Sequence, residues 1–199
     1  SADFYDGEVY DARGAEDAWE KAAEESLPFS PRLLAEYGEP VRAYEERKPL
    51  SVTTAPSGEL IYDFGQNLAG VLRFTLRGER GQTVTLRHAE VLMDGELFIE
   101  PLRSAKQQIV YTCGGGEETY TPRFTYMGFR YEGVTGAAPE DIELTALGLS
   151  SRTEQTGSFS CSDERLNRLQ QNVYYGARSN FVDIPTDCPQ RDERMGWTG

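Results

Sequence analysis

The sequence predicts a mainly β fold, an antiparallel sandwich closed at its carboxyl-terminal end by one short helix. Three observations carry this reading. From about residue 50, apolar and polar residues alternate in short runs, as half-buried strands require. Turns rich in glycine, proline and aspartate separate those runs with no helical stretch between them, which favours packed antiparallel strands over a βαβ arrangement. At Ser162 the apolar period lengthens from two residues to between three and four.

Residues 3–11, rich in Tyr, Asp and Gly, read as an extended or looped lead-in. Residues 16–25 have helix-forming composition with a weak apolar face, Trp19 and Ala22/Ala23. Pro28, Pro31 and Pro40 then punctuate a linker-like stretch. Strands are expected over 51–54, over 59–64 with Leu60, Tyr62 and Phe64 on one face, and over 70–77 with Leu72, Phe74 and Leu76 inward. After the turn at 78–81, residues 82–87 put Val84 and Leu86 on one face. Strands at 107–113 and 119–131 flank Gly114-Gly115-Gly116, and Met127-Gly128 resets the alternation from Phe124/Tyr126 to Phe129/Tyr131, as a bulge does. Residues 142–147 and 156–160 complete the β set. Ser162 offers a hydroxyl N-cap followed by acids, and Leu166, Leu169, Val173 and Ala177 form an apolar stripe with Tyr174 beside it. That stripe needs a helical partner, so a domain boundary is expected just before it.

Composition bounds the function. The 199 residues suffice for one large domain, or one domain with pieces of its neighbours. A formal net charge of −13 argues against nucleic acid and against an anionic membrane surface, since both recruit Lys/Arg patches. No run approaches the ~18 apolar residues of a spanning helix. Cys113, Cys161 and Cys188 are widely spaced and odd in number, which favours reduced thiols and a cytoplasmic setting over a disulfide framework or zinc. His88, the single histidine, lies in a strand-like run and reads as structural.

The richest chemistry lies in residues 186–199, where Asp187, Asp192, Glu193, Arg191, Arg194 and Trp197 crowd a segment without strand or helix period. Charged groups that fix hydroxyls, beside an aromatic face for C–H surface, suit a polar ligand such as a sugar. Glycosidic cleavage needs a protonated carboxyl near the leaving oxygen and a second carboxylate across the ring. Asp187, Asp192 and Glu193 are candidates, with Arg191 and Arg194 pulling their protonation the other way. A structural ion-pair network is the plainer reading of the same residues. Three acids without histidine match no EF-hand spacing, so no metal site is expected. Pro189 gives the loop a fixed shape. The sequence stops inside this cluster, which reads as an excised segment.

Residues 183–199, Asp-Ile-Pro-Thr-Asp-Cys-Pro-Gln-Arg-Asp-Glu-Arg-Met-Gly-Trp-Thr-Gly, resemble the signature of the bacterial α-L-rhamnosidases of glycoside hydrolase family 78. The likeness extends to residues 4–12, to Tyr62-Asp-Phe-Gly-Gln-Asn67, to Arg87-His-Ala-Glu90, to 122–131 and to 156–163. It implies three regions: residues 1–48 as the tail of a carbohydrate-binding-like domain with a linker, 49–155 as a concanavalin-like β-sandwich, and 156–199 as the start of an (α/α)₆ barrel. It implies inverting removal of terminal α-L-rhamnose from rhamnose-containing glycosides or glycans, with no organic cofactor. Glu193 is then the general acid, and Asp187, Arg191 and Trp197 line the sugar pocket. The general base is expected in the barrel beyond Gly199, so these 199 residues alone are expected to be inactive. The rival expectation is a non-catalytic module, either carbohydrate-binding or purely structural.

Overall fold

Between Tyr62 and Leu76 the buried even-numbered residues turn to one side of the chain, and that regularity organises the fold. The structure, a computed structural model, describes residues 1–14, 21–26, 28–151 and 154–196. In chain order its strands are β1 (Ala2–Asp3), β2 (Gly7–Asp11), β3 (Arg42–Arg47), β4 (Ser51–Thr54), β5 (Leu60–Gly78) and β6 (Thr83–Ala89). Then follow β7 (Leu92–Met93), β8 (Glu96–Leu97), β9 (Gln108–Thr112), β10 (Gly116–Tyr120), β11 (Met127–Thr135) and β12 (Ile142–Ser150). Helix α1 (Glu164–Ser179) and the small hairpin β13 (Phe181–Val182) and β14 (Ile184–Pro185) close the chain.

Among the described residues ten strands form one continuous sheet, ordered β1-β2-β9-β6-β11-β5-β12-β3, with β4 and β10 also on β5. The 19-residue β5 is the reason one sheet makes two layers. Its first part pairs with β4 and β11, and its second part with β12 and β10. Tyr62, Phe64, Leu68, Leu72, Phe74 and Leu76 of β5 meet Val84 and Leu86, Ile109 and Tyr111, Met127 and Phe129, and Leu144 in the enclosed core. Odd-numbered residues face outward to two smaller clusters. Ile61 joins Ala55, Ala89 and Leu97, whereas Ala69 and Val71 join Tyr126 under the carboxyl-terminal segment.

Several local expectations change. The runs 59–64 and 70–77 are one strand, because pairing resumes before the second run, Leu68 with Phe129 and Ala69 with Gly128. The irregularity lies between Phe129 and Tyr131 and not at Met127-Gly128; there Arg130 of β11 opposes four residues of β5, Phe64 to Asn67. The surplus on β5 includes Gly65, whose φ of 74° suits glycine, and Arg130 spans the defect with a bidentate pair to Asp63 at 2.8 and 2.7 Å. The expected strand 119–131 is interrupted by residues 121–126, and the expected strand 156–160 has no ladder partner among the described residues. One pairing is parallel, β2 with β9, so the sheet is not purely antiparallel. β3 was not anticipated at all. Residues 21–25 show no helix, and 16–20 of that expectation lie outside the described residues.

Helix α1 is capped by Asp163 and not by Ser162: the Asp163 carboxylate accepts from Arg165 N at 2.9 Å. Its buried face is Tyr175, Arg178 and Ser179. The apolar stripe points the other way, with Leu166, Leu169 and Val173 about half exposed. Among the described residues no helix is long and apolar enough to cross a membrane.

His88 is structural, as its place in a strand suggests. It is fully buried, with Nδ1 2.9 Å from Gln107 O, its ring edge-on to Phe129, and Nε2 3.4 Å from the fully buried Glu132. Burial pushes His88 down from 6.5 to about 3 and Glu132 well up, so both groups are neutral inside the core. The two act oppositely on stability. As pH falls from 6.5 towards about 3, the unfolded chain takes up a proton that native His88 refuses, and stability is lost across that window. Glu132 instead keeps its proton in the native state and costs stability as pH rises past 4.5. His88→Gln, which keeps a donor for Gln107 O, is therefore expected to lose less stability than the wild type between pH 6.5 and about 4. Urea denaturation over that range checks this; identical slopes would contradict it.

Candidate functional site

The acid- and arginine-rich segment folds as a compact loop with its ends together. Thr186 bridges Gly196, Thr186 N donates to Asn180 O at 2.9 Å, and Asp187 N donates to Met195 O at 3.3 Å. The loop follows α1 and the hairpin directly, and both of those are tied to the sheet. Ser179 Oγ accepts from Ala69 N at 3.1 Å, and Phe181 O accepts from Ser151 N at 2.7 Å.

Arg194 fastens the loop to the sandwich. Only 4% exposed, it donates from Nη1 to Phe4 O at 2.6 Å and to Tyr126 O, and from Nη2 to Gln107 Oε1 and Gln190 O at 3.2 Å each. Its guanidinium also lies over the rings of Phe4, Tyr5 and Tyr126 at 5.3–5.6 Å. Burial pulls its pKa down from the ordinary value, so these carbonyls and ring faces replace the water the charge has lost. Gln107, fully buried, turns the contact into a network, because its Oε1 also accepts from Gly128 N at 2.8 Å. A Cβ on Gly128 would lie 2.8 Å from Pro189 Cγ and 3.0 Å from Gln190 N. Glycine stands there to let the loop approach the sheet, not to form the expected bulge.

With the loop so fixed, Asp187, Arg191 and Glu193 come together around an open cavity of about 550 Å³ that Met195 and Gly196 also line. Arg191 Nη2 lies 2.9 Å from Glu193 Oε2 and 3.9 Å from Asp187 Oδ2, and its Nε is 3.2 Å from Cys188 Sγ. Burial raises the Asp187 pKa, but hydrogen bonds from the Glu193 side chain and from the Cys188 and Met195 amides outweigh it, leaving the carboxyl below its usual range. Asp192 points elsewhere, to Ser104, whose hydrogen bond holds its pKa low. Trp197 lies outside the described residues. Arg103, Ser104, Gln107 and Tyr5, whose hydroxyl donates to Glu193 O at 2.9 Å, carried no signal in the sequence, since each reaches the loop across roughly ninety residues or more.

Two other features bear on ligands. Asp187, Cys188 and Glu193 have potential ligand atoms within 4.8 Å of one another, but guanidiniums already occupy the cysteine and the glutamate. A larger groove of about 870 Å³ lies at the sheet edge beside Tyr10, Tyr120 and Phe124. Both carboxylate oxygens of Glu8 there are taken, by Tyr120 OH and Arg123 N, so size alone does not mark the site.

Residues 53–152 match the family model described as the bacterial alpha-L-rhamnosidase concanavalin-like domain, and residues 154–199 match that of the bacterial alpha-L-rhamnosidase 6 hairpin glycosidase domain. An alpha-L-rhamnosidase of Streptomyces avermitilis is 40% identical over 100% of the chain and 21% of its own length; one of Formosa agariphila is 35% identical over 100% and 23%. The crystal structure of the Aspergillus terreus enzyme superposes with a TM-score of 0.90 at 41% identity, covering 100% of this chain and 25% of that one. The Streptomyces avermitilis enzyme complexed with L-rhamnose gives 0.86 at 40%, covering 100% and 21%. The chain thus spans about a fifth to a quarter of the length of these relatives.

The fit between loop and sheet has a direct test. Gly128→Val is expected to cost about 1–3 kcal/mol by overpacking against Pro189 and Gln190. Gly176→Ala, in α1 with nothing within 4 Å of the added carbon, is expected to gain about 0.5–1 kcal/mol. Denaturant melts of the two variants check the pair; a neutral Gly128→Val would contradict the packing.

Proposed function

The chain belongs to the bacterial alpha-L-rhamnosidase family, and from that premise we propose that the full-length protein hydrolyses terminal α-L-rhamnosides by inversion. The observation that carries this reading is the cavity at which Glu193, Asp187 and Arg191 converge. Glu193 donates a proton to the glycosidic oxygen as the C–O bond breaks. Asp187 and Arg191 orient rhamnose hydroxyls, and Trp197 supplies an apolar wall for the C–H face of the ring.

Inversion needs a base that draws a proton from the attacking water on the opposite face, about 6.5–9.5 Å from the acid. Asp187 does not suit that task, because its carboxyl lies within 4.8 Å of Glu193 on the same loop. Asp192 is engaged by Ser104. The family resemblance puts the base in the part of the longer enzyme that follows residue 199, and on that reading residues 1–199 by themselves hold half of a catalytic pair. Their sandwich acts as the support of the acid loop, which the Arg194 network favours over a free-standing carbohydrate-binding role.

In the full-length protein, Glu193→Gln is expected to lower kcat on an alkyl α-L-rhamnoside by roughly 10²–10⁴-fold, the usual worth of a general acid. Residues 1–199 alone are expected to show no turnover. Steady-state hydrolysis assays measure both, and a fully active Glu193→Gln enzyme would remove the assignment.

A further inference from the structure

We infer that Arg103, on the β-sandwich, is a positioning residue for the general acid, so that the sandwich takes part in setting the geometry of proton donation. The inference rests on the assignment of Glu193 just given.

Arg103 Nη1 donates to Glu193 Oε1 at 2.6 Å, and its Nε lies 3.3 Å from Asp192 Oδ1. The next residue, Ser104, grips the same acid pair through its hydroxyl to Asp192 Oδ2 and its amide at 3.4 Å. Two consecutive sandwich residues thus hold two consecutive loop residues. A planar guanidinium spans two carboxyl groups in a way a point-charged ammonium does not.

The clamp stands on a firm base. Arg103 and Ser104 sit between the buried Leu102 and Ala105, and a turn joins these anchors, with Ala105 N donating to Leu102 O at 3.2 Å. Arg103 itself has a φ of 61°, a left-handed backbone that costs energy for a side chain of this kind. Its side chain is 54% exposed, where ion pairs add little to stability. Stability does not account for the strain, whereas orientation of the Glu193 carboxyl does. Arg191 holds Oε2 of that carboxyl, so Arg103 on Oε1 fixes its rotation about the side-chain axis.

A residue that aims the acid betrays itself by leaving-group dependence. An alkyl rhamnoside departs only with a proton, whereas a dinitrophenyl rhamnoside departs without one. In the full-length protein, Arg103→Ala is expected to lower kcat on a methyl α-L-rhamnoside roughly tenfold to a hundredfold more than on the dinitrophenyl rhamnoside, with KM little changed. Arg103→Lys, which keeps the charge without the fork, is expected to show the same bias more weakly. Should Arg103→Ala fail to fold, as judged by its thermal melt, Arg103→Lys and Ser104→Ala carry the comparison. Equal losses on both substrates, or none, would overturn the inference. If Glu193→Gln itself lacks the bias, the acid assignment fails and takes this inference with it; a biased Glu193→Gln beside an unbiased Arg103→Ala overturns the role of Arg103 alone.

Discussion

A buried guanidinium, with no ion pair to a carboxylate among the described residues, holds the site to the fold. Moving such a charge out of water costs several kcal/mol unless other dipoles replace the solvent. Arg194 finds them in the carbonyls of Phe4, Tyr126 and Gln190, the amide oxygen of Gln107 and three aromatic faces. Those partners come from the first residues of the chain, from the segment before β11, from the residue before β9 and from the loop itself. Only the assembled sandwich presents them together, so the loop takes its place on a sheet already formed.

This constraint gives the sandwich a part in placing the loop, and with it the acid proposed at Glu193. Residues 186–196 have no strand ladder of their own beyond the single bridge between Thr186 and Gly196. Their shape comes from close approach at Gly128, from Arg194, and from the Arg103-Ser104 grip on Asp192 and Glu193. Placing catalytic side chains on an irregular loop while a rigid sheet positions them is a common division of labour. Here the sheet supplies rigidity through β5, whose inner face lines both layers of the sandwich.

Much of this was legible in the residues. The alternation from Leu60 to Leu76 predicted the inner face, the register change at Ser162 predicted the helix, and the crowding at 187–197 marked the loop. What escaped has physical reasons. A break in composition at 65–69 reads as a turn, yet a surplus on one strand lets the ladder continue, so two expected strands became one. Gly128 looked like a bulge because a glycine between aromatic runs signals either a bulge or a close approach, and only the fold chooses. The stripe Leu166, Leu169 and Val173 was visible, but the face of α1 that meets the sheet, Tyr175, Arg178 and Ser179, is polar and gives no periodic signal. Arg194 was one charge among several, because nothing local distinguishes a guanidinium that will be buried from one that will be solvated.

That the sandwich fixes the loop of residues 186–196 through Arg194 is tested most directly by native-state amide hydrogen exchange in Arg194→Met. The expected result is exchange at least about a hundredfold faster for the amides of residues 187–195, with those of β5 and β11 unchanged, as local opening of one segment requires. Unaltered protection of 187–195 would contradict the claim, and so would a uniform loss across the sheet.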